Sequence, residues 1–238
     1  MGVTVIVPTY DNVEFLVDCI NSIKQSFSEC SYNDYEILLG IDNCQKTLLF
    51  LNDSKQLNDI RCFYFKKNCG PYVIKNSLVK EAKYDRLAFF DSDDLMRKEF
   101  IINLIKFSPK YPSIRFGFKN FSTDKELREN VQSITVADGV ISINKDFFIK
   151  INGFYPWRCA ADTEINTRIN YYNYGVYQCQ EHCFNRRMHT KNLTRRKETN
   201  FSSPIRKQYA SEIAKLRKDF FPNPPILNTE EYIEIKFR

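Results

Sequence analysis

The chain is 238 residues long, 43% hydrophobic and 27% charged, a balance that excludes a disordered or fibrous protein and can fill one large hydrophobic core. Its formal charge of +6 is unevenly placed. Residues 186 to 218 hold eleven Lys or Arg against Glu198 and Glu212, so the remainder is on balance slightly acidic.

Val3 to Val7 is a short β-branched run closed by Pro8, and Val13, Leu16, Ile20, Ile23 and Phe27 then recur at helical spacing. The pattern repeats. Tyr35 to Ile41 predicts a strand, Cys44 to Leu57 a helix, Arg61 to Phe65 a strand, Pro71 to Lys83 a helix and Arg86 to Phe90 a strand. Alternation of this kind, with strands apolar enough to be buried on both faces, predicts an α/β fold with a mostly parallel central sheet flanked by helices. Beyond residue 110 the expected elements are strands at Ile114 to Phe121 and Thr135 to Ile143, then a helix from Thr163 to Tyr174. A helix from Ser203 to Phe220 ends at the Pro222, Pro224 and Pro225 cluster, and Tyr232 to Phe237 alternates like an edge strand.

In an open parallel sheet, ligands bind beyond the carboxyl ends of the strands. Those ends read Thr9-Tyr10-Asp11-Asn12, Asp42-Asn43 and Asp91-Ser92-Asp93-Asp94. The last is the strongest signal, because like charges about 4 Å apart repel by roughly 4 kcal/mol at an effective dielectric near 20. A hard divalent cation, Mn²⁺ or Mg²⁺, relieves that repulsion with one or two carboxylates and a substrate phosphate as ligands. A helix N-cap at Asp93 or Asp94 is the bland alternative, and it accounts for one acid of the three. With only seven glycines and neither a G-x-G-x-x-G nor a G-x-x-x-x-G-K-[ST] loop, the chain must neutralise phosphate with metal and basic side chains.

No apolar run approaches the roughly 20 residues of a membrane span. The amino terminus lacks the basic and apolar regions of a secretion signal, and Ile6 stands where a myristoylation signal wants Ser or Thr, so the expectation is a cytoplasmic protein. The eight scattered cysteines are therefore read as thiols. Cys179 and Cys183, near His182 and His189, invite a zinc reading but form no C-x-x-C pair.

With these motifs in order, the chain resembles the family 2 glycosyltransferases of the GT-A fold, in which a strand-delivered Asp-x-Asp holds the metal. Val5-Ile-Val-Pro-Thr-Tyr-Asp-Asn12 is similar to that family's opening strand and nucleotide loop. Glu36 to Asn43 resembles its second strand, and Asn68-Cys69-Gly70 followed by Asn76 keeps the spacing of its N-x-G-x-x-x-A-x-N segment. Asp138-Gly139-Val140 and Phe148 to Phe154 resemble its acceptor side, which leads to an acidic pair read here as Ala161-Asp162. Asn185 to Thr190 looks like its R-x-H segment. The resemblance spans roughly residues 3 to 195.

The resemblance implies a nucleotide-sugar donor, a UDP-sugar favoured, and transfer to a hydroxyl of a glycan or glycoconjugate with inversion. Pro8, Thr9, Tyr10, Asp11, Asp42, Gly70, Lys75, Asn76, Asp91, Ser92 and Arg195 would contact the donor. Asp93, with Asp91 and His189, would serve the metal, Asp162 would be the general base with Glu164 in reserve, and Gly139 and Trp157 would lie on the acceptor side. Core packing is the equal alternative for Trp157. The implied organisation is a transferase domain over 1–200, with a nucleotide-binding half (1–110) and an acceptor half (111–200). A C-terminal helix and tail over 201–238 would pack on it. Three other readings remain: an Asp-nucleophile phosphohydrolase, a degenerate transferase that only binds donor, and a non-catalytic module that grips a polyanion or glycan with residues 186–218. Nucleic acid is not an expected partner, and that basic region could also touch a membrane surface.

Overall fold

A computed structural model of the chain describes residues 1–53, 57, 59–122, 133–218, 222–224 and 226–236. Its centre is four parallel strands: β1 (Val3–Thr9), β2 (Tyr35–Ile41), β3 (Arg61–Phe65) and β4 (Arg86–Phe89), in the spatial order β4-β1-β2-β3. All seven residues of β1 are buried. The expected closure at Pro8 does not occur, since β1 runs on to Thr9 and Pro8 pairs with Gly40 of β2. The ladder to β4 stops at Ile6, so the missing N–H of Pro8 forfeits no bond on that side.

Three helices connect these strands: α1 (Val13–Glu29), α2 (Gln45–Asp53) and α3 (Pro71–Leu78). Helix α1 buries Leu16, Cys19, Ile20, Ile23 and Phe27, the stripe its spacing predicts. Helix α2 covers Gln45–Asp53 of the expected Cys44–Leu57, and residues 54–56 of that stretch lie outside the described residues. Helix α3 opens with Gly70 at φ 86° and Pro71 at its first position, then tightens into a 3₁₀ turn over Val79–Glu81 instead of running to Lys83.

The second half widens the sheet. A two-residue strand β5 (Leu95–Met96) precedes helix α4 (Lys98–Phe107), and strands β6 (Ser113–Phe121) and β7 (Thr135–Asn144) follow. Then come helices α5 (Lys145–Lys150) and α6 (Ala161–Tyr171), strand β8 (Val176–Arg187), helix α7 (Pro204–Lys218) and strand β9 (Tyr232–Ile235). Among the described residues the nine strands stand in the order β5-β8-β6-β7-β4-β1-β2-β3-β9. β7 is antiparallel to β4 and β6, β8 runs parallel to β6, and β9 closes the far edge antiparallel to β3. Strand β8 and helices α4 and α5 were not among the expected elements. The pairing of β8 with β6 slips at Gly117, where a Cβ would fall 2.4 Å from the Glu181 carbonyl oxygen, so only a glycine lets the two backbones cross.

One apolar layer lies between the sheet and α1 with α4, and a second lies under α3, α5 and α6. Helix α7 buries no residue fully, but Tyr209, Ile213 and Leu216 rest against the second layer.

Candidate active site

A cavity of about 810 Å³ opens at the carboxyl ends of β1, β2 and β4 and is walled by β7 and the start of α6. Pro8, Thr9, Tyr10, Asp42, Gly70, Lys75, Asp91, Ser92, Asp93, Gly139 and Asp162 all line it. The strand order explains the convergence: β1 and β4 are neighbours, and β7 pairs with β4 on its other side. Asn12 and Ser92, 80 positions apart, therefore meet at neighbouring strand ends.

The acidic loop after β4 is held by a dedicated set of donors. Ser92 accepts from Asn12 Nδ2 (3.2 Å), and Asp93 Oδ2 accepts from His189 Nε2 (2.8 Å) and Asn192 Nδ2 (3.0 Å). The Arg187 side chain donates to the Asp93 carbonyl (2.9 Å), and its own backbone N–H goes to Asp94 Oδ1 (2.9 Å). Asp94 is buried, and desolvation together with the charges of Asp93 and Asp91 pushes its pKa far above the carboxylate range. Neither Asp93 nor Asp94 caps a helix, because α4 begins only at Lys98 after Arg97.

Lys75 makes the link across the cavity. Its side chain is 2% exposed, and Nζ donates to Asp91 Oδ1 (3.2 Å) and to the Gly139 carbonyl (3.2 Å). Opposite Asp91, the half-buried Asp162 carboxylate accepts from the Thr163 N–H (2.9 Å). Burial and the neighbouring charge of Asp138 raise its pKa, against the opposing pull of the Tyr72 hydroxyl and Lys75. Gly139 lies between the two acids: a Cβ there would stand 3.1 Å from Asp162 Oδ2 and 3.5 Å from Asp91 Oδ2. Gly139→Ala is therefore expected to push these carboxylates apart and cost about tenfold or more in turnover, with little change in melting temperature. Equal turnover in the two proteins would remove this role.

Asp42 anchors the far wall. Its two oxygens accept from the backbone N–H groups of Cys69 (2.7 Å) and Gly70 (2.9 Å), and burial still leaves its pKa raised. Arg158 closes the same corner through two bonds to Asn68.

Six expected residues stay off the cavity wall. Glu164 is wholly buried with both oxygens bound to Arg168, so it has no path to an acceptor proton. Asn76 spends its amide on the backbone of Phe154 (2.9 and 3.0 Å), and Asp11 points to Lys46 (2.6 Å). His189 orients Asp93 from behind instead of facing the cavity, and Arg195 is absent from the wall. Trp157 stacks on Tyr209, ring centres 4.4 Å apart and planes 7° apart, inside the second apolar layer. Among the described residues, the cations that face the cavity besides Lys75 are Arg115, Arg158, Arg186, Lys191, Arg196 and Arg206. The basic stretch announced itself in the sequence, but which of its members point inward is set by the turns between β8 and α7.

Asp91 and Asp93 fit a hard divalent cation: hard oxygen donors share one loop, and the cavity leaves room for phosphate oxygens and water to complete the shell. Among the described residues no three His, Cys, Asp or Glu side chains form a cage of their own. The Cys179 and Cys183 sulfurs lie 3.5 Å apart, but among the described residues no third His, Cys, Asp or Glu joins them in a metal-holding group.

Comparison with known proteins agrees with this architecture. A crystal structure of residues 1–349 of TarS from S. aureus in complex with UDP-GlcNAc superposes with a TM-score of 0.69 at 15% identity. The match covers 96% of this chain and 68% of that one. The fold is the GT-A fold of glycosyltransferases. The model for glycosyl transferase family 2 matches residues 4–164, and the chain belongs to that family. An uncharacterized glycosyltransferase of Mycoplasma genitalium is 33% identical over 132 residues, covering 50% of this chain and 41% of that protein. The poly(ribitol-phosphate) beta-N-acetylglucosaminyltransferase TarS of Staphylococcus aureus (strain Mu50) is 27% identical over 117 residues, covering 48% and 20%. The matches span less than half the length of these curated relatives.

Proposed function

We propose that the chain transfers a sugar from a nucleotide-sugar donor, a UDP-sugar in preference, to an acceptor hydroxyl of a glycan by a metal-dependent, inverting displacement. The observation that carries this reading is the apposition of Asp91 and Asp162 on either side of Gly139, within a cavity that also holds Asp93. The preference for UDP is supported by the TarS relative, whose structures include complexes with UDP and UDP-GlcNAc.

Asp93 and Asp91 would hold the divalent metal, which when bound stabilises the charge of the departing diphosphate as a Lewis acid. Tyr10, which is 42% exposed, offers a ring face to the base, and Thr9 Oγ1, buried without a partner among the described residues, is free to bond the nucleoside. Arg186, Lys191 and Arg196 supply positive charge to the same space. Asp162 takes the acceptor proton as the new C–O bond forms on the sugar face opposite the leaving diphosphate. Inversion follows from that single step.

Placing these cations inside the cavity favours a small anionic ligand over a polyanion lying on the outside of residues 186–218. No described helix is long and apolar enough to cross a membrane. Contact of the basic region with an anionic membrane surface and a cytoplasmic setting remain part of the proposal, as does the division into 1–200 and 201–238.

Calorimetric titration of UDP and GDP with Mn²⁺ and again with EDTA tests the donor site. UDP is expected to bind only with metal, and Asp93→Ala is expected to weaken that binding at least tenfold. Failure of both nucleotides to bind would overturn the transferase reading in favour of a polyanion-binding module.

A further inference from the structure

Asp162 rides on the second residue of α6, and local structure alone does not secure that helix start. Its N-cap, Ala160, sits in the left-handed region (φ 65°, ψ 4°) and caps nothing with its side chain. A non-glycine residue there is strained by about 1 kcal/mol or more and persists only where its surroundings dictate it. Ala161, fully buried, adds no polar contact of its own to the turn.

Two anchors surround it: Asp138 of β7, which accepts from Thr163 Oγ1 (3.2 Å) and, through its carbonyl, from Asn166 Nδ2 (2.9 Å), and Arg168, one of the largest fully buried side chains among the described residues. All five of its N–H donors are spent. Nε and Nη2 go to the two oxygens of Glu164 (2.7 and 3.1 Å), and Nη2 also reaches the Gly153 carbonyl (2.7 Å). Nη1 reaches the Ile151 carbonyl and Asn223 Oδ1 (3.1 Å). One guanidinium thus ties α6 to the turn after α5 and to the segment after α7.

That turn is itself fixed to the donor side of the cavity. Asn76 donates to the Phe154 carbonyl and accepts from the Phe154 N–H, and it follows Lys75, whose ammonium holds Asp91 and Gly139. A continuous polar path therefore runs from Asp91 through Lys75, Asn76, the Gly153–Phe154 turn, Arg168 and Glu164 to the helix of Asp162. A buried ion pair contributes little net stability, because desolvation offsets its attraction. What it supplies is a single geometry.

We propose that Arg168, with Glu164, is a positioning residue that sets Asp162 at its working separation from Asp91, although neither side chain touches the cavity. This rests on the function proposed above. Lysine at 168 keeps the charge facing Glu164, but its compact ammonium has three donors and lacks the planar fork that spans Ile151, Gly153 and Asn223 together.

The test compares the wild type, Arg168→Lys and the double variant Glu164→Leu/Arg168→Met. The double variant refills the volume and leaves no uncompensated charge. Melting temperature, UDP affinity with Mn²⁺, and kcat and KM for hydrolysis of UDP-GlcNAc are measured, together with amide exchange of residues 160–166. Arg168→Lys is expected to keep UDP affinity and KM within about twofold, lose about 10²-fold in kcat, and exchange faster at 160–166 but not at 71–91. The double variant is expected to melt like the wild type without recovering kcat. A double variant with wild-type kcat, or an Arg168→Lys protein whose kcat falls only in step with UDP affinity, would show a structural role alone and overturn the proposal. If the wild type binds no UDP, the functional reading fails by itself; unchanged exchange at 160–166 in Arg168→Lys then also refutes the clamp, and faster exchange confined there upholds it.

Discussion

Asp162→Asn is expected to lower turnover by about 10²- to 10⁴-fold while leaving UDP affinity unchanged. The amide preserves the shape and can still accept the Thr163 N–H, but it cannot take a proton from an acceptor hydroxyl. Asp91, proposed to serve the donor, lies across Gly139 from this side chain, so binding and turnover should separate. Equal loss of UDP affinity and kcat would mean that Asp162 organises the donor site instead.

The pH dependence follows from the same environment. Desolvation and Asp138 raise the Asp162 pKa, so the ionised base should be lost on the acid side at a pH above the ordinary carboxylate value of about 4. The sign for stability is the reverse of the common carboxylate case. Between the unfolded and folded pKa values the native state holds the proton and the unfolded chain does not, so ionising Asp162 costs stability as pH rises through that window. The Asn variant should flatten both the acid limb of kcat and this share of the stability curve.

Trp157→Ala is expected to cost about 3–5 kcal/mol in folding free energy, measured by urea unfolding, with UDP affinity retained at temperatures where the protein remains folded. The indole is 8% exposed, lies flat on Tyr209 at 4.4 Å and meets Tyr155 at 5.0 Å. This stack joins α7 to the second apolar layer. A sugar platform would give the opposite result, with near-normal stability and a raised KM for acceptor.

Much of the N-terminal half, residues 1–110, was legible in the sequence because each strand there is short, apolar and followed at once by its polar terminus. Asp42, Asp91 and Asp93 are prominent for that reason. Residues 111–200 were less legible because their signals are split. Strand β8 reads Val-Tyr-Gln-Cys-Gln-Glu-His-Cys-Phe-Asn-Arg-Arg, and the register slip opposite Gly117 breaks the alternation that would have marked it. The two acids of α6 show a different limit. Asp162 and Glu164 are chemically alike and two residues apart, but helical rotation turns the first toward the cavity and the second onto Arg168. That rotation is fixed by the packing of α6 against the turn after α5 and by the bonds of Thr163 and Asn166 to Asp138 of β7. Asn76 poses the same difficulty, since its spacing from Gly70 fits a nucleotide contact while its amide is committed to the backbone of Phe154.

The partners that hold the two sides of the cavity together are largely main-chain atoms: the carbonyls of Gly139, Ile151, Gly153 and Phe154 and the N–H of Phe154. A carbonyl does not change when the side chain beside it mutates. The rest of the wall, with side chains such as Val136, Leu193 and Phe201, can accordingly drift through substitution while the spacing of Asp91 and Asp162 is preserved. A lineage carrying this framework can change what the rim admits with no need to rebuild the centre.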